Sequence, residues 1–181
     1  AGAVAGVEAS MAAQGVSGSA PRHYSGTIET KALFRYGYIQ FDEVLAASFN
    51  GAFAAAWVFG GLGQGDPKAG MEMDVVETIG GVTTSSTTTT HYRDDANRIV
   101  RPSISEPGPS GINVSHTWGV DWQRDWLRFY CDGVMYHELT GEDASWMHTS
   151  ARVRIGLGVD ADWLPVHAAT DLGGAKTLEV A

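Results

Sequence analysis

Apolar residues in this chain never recur at the 3.6-residue spacing of a long helical stripe. They come in short or alternating runs cut by turn signals, 23 glycines and clusters of threonine among them. That pattern favours strands over helices. We read strands over Val7 to Ala13, Tyr24 to Phe34, Tyr38 to Ala46, Phe53 to Phe59, Met71 to Thr78, Thr83 to Tyr92, Trp118 to Gln123 and Val153 to Val159, with a hairpin over Trp126 to Leu139. The hairpin signal is the strongest, because Asp132-Gly133 places two residues tolerant of positive φ between WLRFYC and VMYHEL. Asn50-Gly51 marks a similar turn. Short strands in a chain of 181 residues, 44% of them hydrophobic, bury their apolar faces by stacking two sheets, so the sequence predicts an all-β sandwich. Thr83 to Thr90, TTSSTTTT, reads as a solvent-facing strand, and Pro102 to Gly111, with three prolines and two glycines, as a surface loop. Ala161 to Lys176 has no clear period, and neither an internal repeat nor a linker divides the chain.

Charge and composition remove several function classes. Twelve Lys+Arg against 21 Asp+Glu give a formal charge of -9, which leaves no broad basic surface for nucleic acid. The longest apolar stretch, Ala52 to Phe59, falls short of the roughly 20 residues a membrane-spanning helix needs, so no membrane association is expected. A lone cysteine, Cys131, excludes an internal disulfide framework and reads as a buried, inert thiol. The histidines at 23, 91, 116, 137, 148 and 167 lack metal-ligand spacing, so no metal site is expected. Arg93, Arg98 and Arg101 form a local basic patch, read here as solvated loop charge, and Asn113-Val114-Ser115 is a formal glycosylation sequon. AGAVAGVEAS at the start has neither an initiator Met nor a basic n-region, so any export signal is expected to be already removed or outside this chain.

The chemistry concentrates in GMEMDVVETI, residues 70–79, where Glu72, Asp74 and Glu77 interrupt a run of Met and Val. Side chains alternate across a strand, so Glu72 and Asp74 share a face while Glu77 points the other way. One extra residue at Val75 or Val76, a β-bulge, returns Glu77 to the face of the other two. Like charges crowded together resist simultaneous ionisation, leaving one carboxyl protonated and another ionised. Retaining glycoside hydrolysis uses such a pair, roughly 5–5.5 Å apart, as proton donor and nucleophile. Taken alone, the same spacing also fits an edge strand with a polar, solvated face.

Five blocks in order carry a family resemblance. EMDVVE resembles the E-[I/L/M]-D-[I/V]-x-E signature of the bulged branch of glycoside hydrolase family 16. HYSGTIETKALFRYGYIQF resembles the strand pair around "SG…TK…F.YG", and NGAFAAAWVFG the "G.WPAFWL" strand. THY at Thr90 to Tyr92 resembles the strand that follows the catalytic one, and HTWGVDWQRDWLRFYCDG resembles "H.Y…W….I.FYVDG". The resemblance implies a single domain over residues 1–181, minimal or trimmed at both ends, folded as a β-jelly-roll sandwich of two antiparallel sheets with an open concave groove. It implies that Glu72 is the nucleophile, Glu77 the general acid/base and Asp74 the carboxylate between them. It places Trp57, Phe53, His91, His116 and Trp122 as substrate-binding positions at or behind the cleft, where aromatic faces stack on sugar rings.

Departures from the family pattern bear on the substrate. Phe53 and Ala54 replace the first tryptophan and the proline of the "W-P-A-F-W" strand, and YIQFD from Tyr38 to Asp42 lacks a basic residue common there. The family's structural calcium uses a terminal aspartate whose nearest equivalent here is Glu179, which argues against the ion, and no cofactor is required. The expected activity is endo-cleavage of a β-1,3- or mixed β-1,3/1,4-glucan, with a galactan hydrolase or a non-catalytic lectin-like sandwich as alternatives. The expected partner is the polysaccharide alone, the expected state a monomer, and the expected location extracellular or periplasmic.

Overall fold

The structure, a computed structural model, describes residues 7–10, 26–44, 52–60, 70–79, 85–94, 96–110, 114–159 and 179–180. Its elements are β1 (Val7–Ser10), β2 (Gly26–Thr30), β3 (Gly37–Val44), β4 (Ala52–Gly60), β5 (Gly70–Ile79), β6 (Ser85–Arg93), β7 (Ile99–Ser110), β8 (Ser115–Trp122), β9 (Trp126–Cys131), β10 (Val134–Thr140), a single-turn helix α1 (Glu142–Ser145), β11 (Ala151–Val159) and β12 (Glu179–Val180). Every strand pairing is antiparallel. The strands form a seven-stranded sheet in the order β1-β2-β11-β4-β5-β6-β7 and a five-stranded sheet in the order β10-β9-β8-β3-β12.

The two sheets stack because each carries one apolar face. From the larger sheet, Ala54, Ala56, Val58, Met71, Met73 and Val76 enter the core; from the smaller come Phe41, Trp118, Val120, Trp122, Leu127 and Phe129. Small residues alternate inward along β4 and large ones along β8, so the layers interdigitate. Full burial of one such side chain contributes about 1.5–3 kcal/mol, and the sandwich follows from many of them. The β9–β10 hairpin closes as the sequence predicts, with Asp132 at φ 50° and Gly133 at φ 76°, the paired positive angles of a two-residue turn that keeps the strands' twist.

Two sequence expectations are corrected. Pro102 to Ser110, read as loop, belongs to strand β7, which lies at the edge of the seven-stranded sheet. Proline lacks an amide hydrogen, and an edge strand is where a sheet tolerates that loss. The threonine tract is strand as expected but not solvent-facing: Ser86, Thr88, Thr89 and Thr90 are all buried. Hydroxyls make this possible by taking buried partners, as Ser86 Oγ does in donating to the Pro109 carbonyl at 3.2 Å. Asn50-Gly51, Asn113 and Ala161 to Lys176 lie outside the described residues. Among the described residues no helix is long and apolar enough to cross a membrane.

Candidate active site

The register of β5 decides where its acids point. Against β4, Ala55 faces Glu77, Ala56 faces Val76, and then Trp57 faces Asp74, so Val75 is an extra residue opposite no partner. Against β6 the ladder likewise jumps from Asp74–Thr89 to Glu77–Thr87. This is the bulge that the spacing of the acids requires. Phe59, Trp57 and Ala55 alternate along one face of β4, so their partners Glu72, Asp74 and Glu77 share one face of the sheet. That face is turned away from the core, into which Met71, Met73, Val75 and Val76 pack.

Each acid meets a different partner from β6. Arg93 donates from Nε to Glu72 Oε2 at 2.6 Å, and its Nη2 reaches the same oxygen. Arg93 is itself steadied by the turn that follows, where Asp94 Oδ1 accepts from the amides of Ala96 and Arg98. Asp74 is buried, with Oδ2 at 3.2 Å from His91 Nε2, close enough to pair but not aligned as a hydrogen bond. On its other side His91 Nδ1 lies 2.6 Å from Ser103 Oγ. Glu77 accepts a hydrogen bond from the Thr89 hydroxyl.

These surroundings separate the protonation states. Burial, and then the charge of Asp74, pushes Glu77 up to about 8 despite the opposing Thr89 bond. Asp74 also rises, first by burial and then by the Glu72 charge, with Arg93 opposing. Burial lowers His91, so its ring is neutral at pH 7. At neutral pH, then, Glu77 keeps its proton, burial favours the neutral form of Asp74 as well, and Glu72 is the acid that holds a guanidinium. Glu72 and Glu77 both remain partly open to solvent.

The floor beside the acids is aromatic. Phe53, Trp57 and Phe59 alternate along the same face of β4, and Arg154 from β11 lies over the Phe59 ring at 4.5 Å while donating to Glu29 at 2.6 Å. Next to it, Gly156 has no side chain for a reason. A Cβ there would sit 3.1 Å from Trp57 Cη2 and 2.9 Å from Thr27 Oγ1, so glycine makes room for the indole to approach β11. Neither Phe59 nor Arg93 was singled out from sequence as part of the site. Parity with Trp57 was the available signal for Phe59.

The sequence model for glycosyl hydrolases family 16 matches residues 4–177. The chain belongs to glycosyl hydrolases family 16. Solved structures resemble it in fold. The catalytic domain of an endo-1,3-β-glucanase (laminarinase) from Thermotoga petrophila superposes with TM-score 0.64 at 20% identity over 80% of this chain. A β-glucanase from Bacillus licheniformis gives 0.63 at 22% over 84%, and a GlcNAcα1-4Gal releasing endo-β-galactosidase from Clostridium perfringens gives 0.65 at 18% over 82%. The chain spans 61%, 66% and 42% of those three structures respectively. No curated protein matches it.

Two expected substrate-binding residues belong elsewhere in this family 16 chain. Trp122 is fully buried in the core of the smaller sheet, donating from Nε1 to the Met147 carbonyl at 2.6 Å and meeting Tyr36 edge-on. His116 also lies on β8, its Nδ1 at 2.7 Å from Asp132 Oδ2 beside the hairpin turn. Both sit in the sheet opposite the acids, so neither lines their groove. The arginine patch is corrected in part: Arg98 is solvated turn charge, its side chain 79% exposed, whereas Arg93 and Arg101 are strand residues with committed partners. Arg93 is bound to Glu72, Arg98 to Asp94 at 2.7 Å, and Arg101 to Asp143 at 2.5 Å while its guanidinium covers Tyr92.

One group among the described residues could approach a cation: His116, Cys131 and Asp132, with donor atoms within 4.8 Å of one another. Its donors are already committed. Asp132 Oδ1 accepts from the Thr117 amide at 2.9 Å, Oδ2 faces His116, and burial pushes the Cys131 thiol up to about 11, keeping it protonated. The calcium expectation falls on the Glu179 side chain, outside the described residues.

Proposed function

We propose that this chain is a retaining, endo-acting glycoside hydrolase that cleaves a β-linked polysaccharide by double displacement. One observation carries the reading. The bulge at Val75 puts Glu72, Asp74 and Glu77 on one outward face with unequal partners, a guanidinium at Glu72 and a held proton at Glu77. In this mechanism Glu72 attacks the anomeric carbon, the glycosidic C–O bond breaks, and Glu77 delivers its proton to the departing oxygen. Glu77, now ionised, then takes a proton from water as that water displaces Glu72 from the sugar, which restores both groups. Asp74, beside Glu72 on the same face of β5, supports the nucleophile. Trp57 stacks on a pyranose ring, and Phe53 and Phe59 extend the apolar floor. Neither step consumes a cofactor.

A β-1,3- or mixed β-1,3/1,4-glucan is the first substrate to try, given the glucanases among the related structures. A galactan is the second reading, favoured by Phe53 where the family pattern has a larger ring. The protein acts on its polymer as a monomer outside the cytoplasm, extracellular or periplasmic, because such a chain is too large to import intact. Incubation with a panel of β-glucans and algal galactans, followed by product linkage analysis and proton NMR of the first-formed anomer, tests all of this. Release of β-configured oligosaccharides is expected. Binding without cleavage would favour a lectin-like role, and α-configured first products would remove the double displacement.

A further inference from the structure

A β-bulge places Glu77 but leaves backbone unpaired. Neither Val75 nor Val76 has a ladder partner in β6, and both are fully buried. A buried carbonyl left without a donor is costly, so something must satisfy this one. Thr88 Oγ1 donates to the Val75 carbonyl at 2.9 Å, and Tyr136 Oη lies 3.3 Å from the same oxygen. The two hydroxyls also touch each other.

Tyr136 comes from the opposite sheet. It is itself an extra residue: Met135 faces Tyr130, His137 faces Phe129, and Tyr136 between them has no partner in β9. A bulge in β10 therefore turns its ring inward, edge-on to Trp118 at 6.5 Å, and aims its hydroxyl at the bulge in β5. Two hydroxyl protons serve three contacts. The shorter carbonyl distance belongs to Thr88, so the protons run from Tyr136 to Thr88 and from Thr88 to Val75. Thr88 sits between Thr87 and Thr89, whose partners are Glu77 and Asp74, and faces the core instead.

We propose that Thr88 and Tyr136 are positioning residues for the proton donor: across the core, their hydroxyls hold the Val75 bulge and so fix the direction of Glu77 relative to Glu72. The inference rests on Glu77 being the acid/base. Without this pair the extra residue is free to move along β5, and a slip that carries it out of the interval between Asp74 and Glu77 turns Glu77 toward the opposite face of the sheet. Neither residue reaches substrate. Each can stand in for the other at the carbonyl, so single losses are mild and the double loss is not their sum.

The test uses Tyr136→Phe, Thr88→Val and the double variant, assayed on the preferred polysaccharide, β-1,3-glucan in the first instance, and on a 2,4-dinitrophenyl glycoside of its repeating disaccharide. The dinitrophenolate leaves without protonation, so it reports everything except acid assistance. In the double variant, polysaccharide kcat is expected to fall at least about tenfold with KM little changed, because small misplacements of a catalytic group are amplified in rate. Bond cleavage in the dinitrophenyl substrate stays within about twofold, and the alkaline limb of the pH profile moves down as Glu77 gains water. Equal loss on both substrates with an unmoved pH profile, or no loss in a folded double variant, overturns the proposal. Should the double variant fail to fold, Tyr136→Phe and Thr88→Val carry the test: a smaller fall in the same substrate ratio with the alkaline limb moved down is expected, and a ratio and limb unmoved in both overturn the proposal. Glu77→Gln is the control. If, with azide supplied to replace the base-assisted water, it loses both substrates equally, the acid/base assignment itself is wrong and the positioning role falls with it, a result distinct from failure of the hydroxyl pair alone.

Discussion

Replacing Glu77 by Gln should make the protein more stable at alkaline pH and no more stable at acid pH. Burial and Asp74 move Glu77 from its ordinary 4.5 to about 8 in the folded chain. The folded pKa of an acid is therefore raised above the unfolded one. Between those values the folded state holds a proton that the unfolded state has released, so stability drains away as pH climbs from about 4.5 and the loss is complete near 8. At about 1.4 kcal/mol per pH unit, the penalty reaches about 5 kcal/mol, and water at the open side of the groove reduces it to about 2–5. Glutamine keeps the shape and has no charge to desolvate. For a domain of this size, a gap of that order corresponds to a Tm difference on the order of 10 °C. Thermal melts followed by near-ultraviolet circular dichroism, run on both proteins from pH 5 to pH 9, measure the gap directly. Coincident melts at the acid end and curves that separate as pH rises are expected. A gap that stays constant across that range would refute the buried, proton-holding Glu77, and with it the basis for naming that residue the acid. The alkaline limb of wild-type kcat/KM should fall near the pH at which the gap between the melts stops widening, about 8, since one proton governs both.

Three further outcomes follow from the same geometry. Glu72→Gln should abolish turnover while melts and oligosaccharide binding stay near wild type; a 2-fluoro glycoside that traps the covalent intermediate should label Glu72 in a peptide map, and label on another carboxyl would reassign the nucleophile. Arg93→Met removes the cation that lowers both Asp74 and His91, so the His91 titration followed by NMR should shift to higher pH; an unmoved titration would show that Arg93 does not reach into the acid cluster. Trp57→Ala should raise KM roughly fivefold or more through lost stacking, whereas Trp122→Phe should leave KM unchanged and cost about 1–3 kcal/mol of stability from the unpaired Met147 carbonyl; the reverse pattern would return Trp122 to the groove.

What the sequence made legible was whatever depends on local alternation. The β9–β10 turn was readable because Asp132-Gly133 is chemically suited to paired positive φ, and the bulge because three acids at 72, 74 and 77 cannot share a face without one. What it concealed depends on partners across the fold. Threonines 88 to 90 favour extended backbone wherever they are, but their burial is set by β7 beside them and β10 opposite. Pro102, Pro107 and Pro109 look like loop punctuation until the strand they occupy proves to be an edge. Trp122 was the avoidable error. Trp118, Val120 and Trp122 alternate along one face of β8, the pattern of a strand feeding a core, and that reading needed no structure.

The bulge alone does not produce an acid and a nucleophile, since three carboxyls on one face are otherwise alike. The distinction comes from β6. Its groove-facing residues, two apart, are Thr87, Thr89, His91 and Arg93: two hydroxyls, a neutral imidazole and a guanidinium. They run antiparallel to β5, so the Thr89 hydroxyl meets Glu77, the imidazole meets Asp74 and the full positive charge meets Glu72. Positive charge thus increases along β6 from the proton donor toward the nucleophile, in the direction that lets one carboxyl keep its proton while the other stays compensated as an anion. The same strand sends Thr88 the other way, into the core, to hold the Val75 carbonyl. One strand therefore does two jobs on its two faces: it differentiates the acids outward and holds inward the irregularity that aligns them. A threonine-rich sequence suits that arrangement, because hydroxyls satisfy buried backbone acceptors without adding charge beside the acid that must remain neutral.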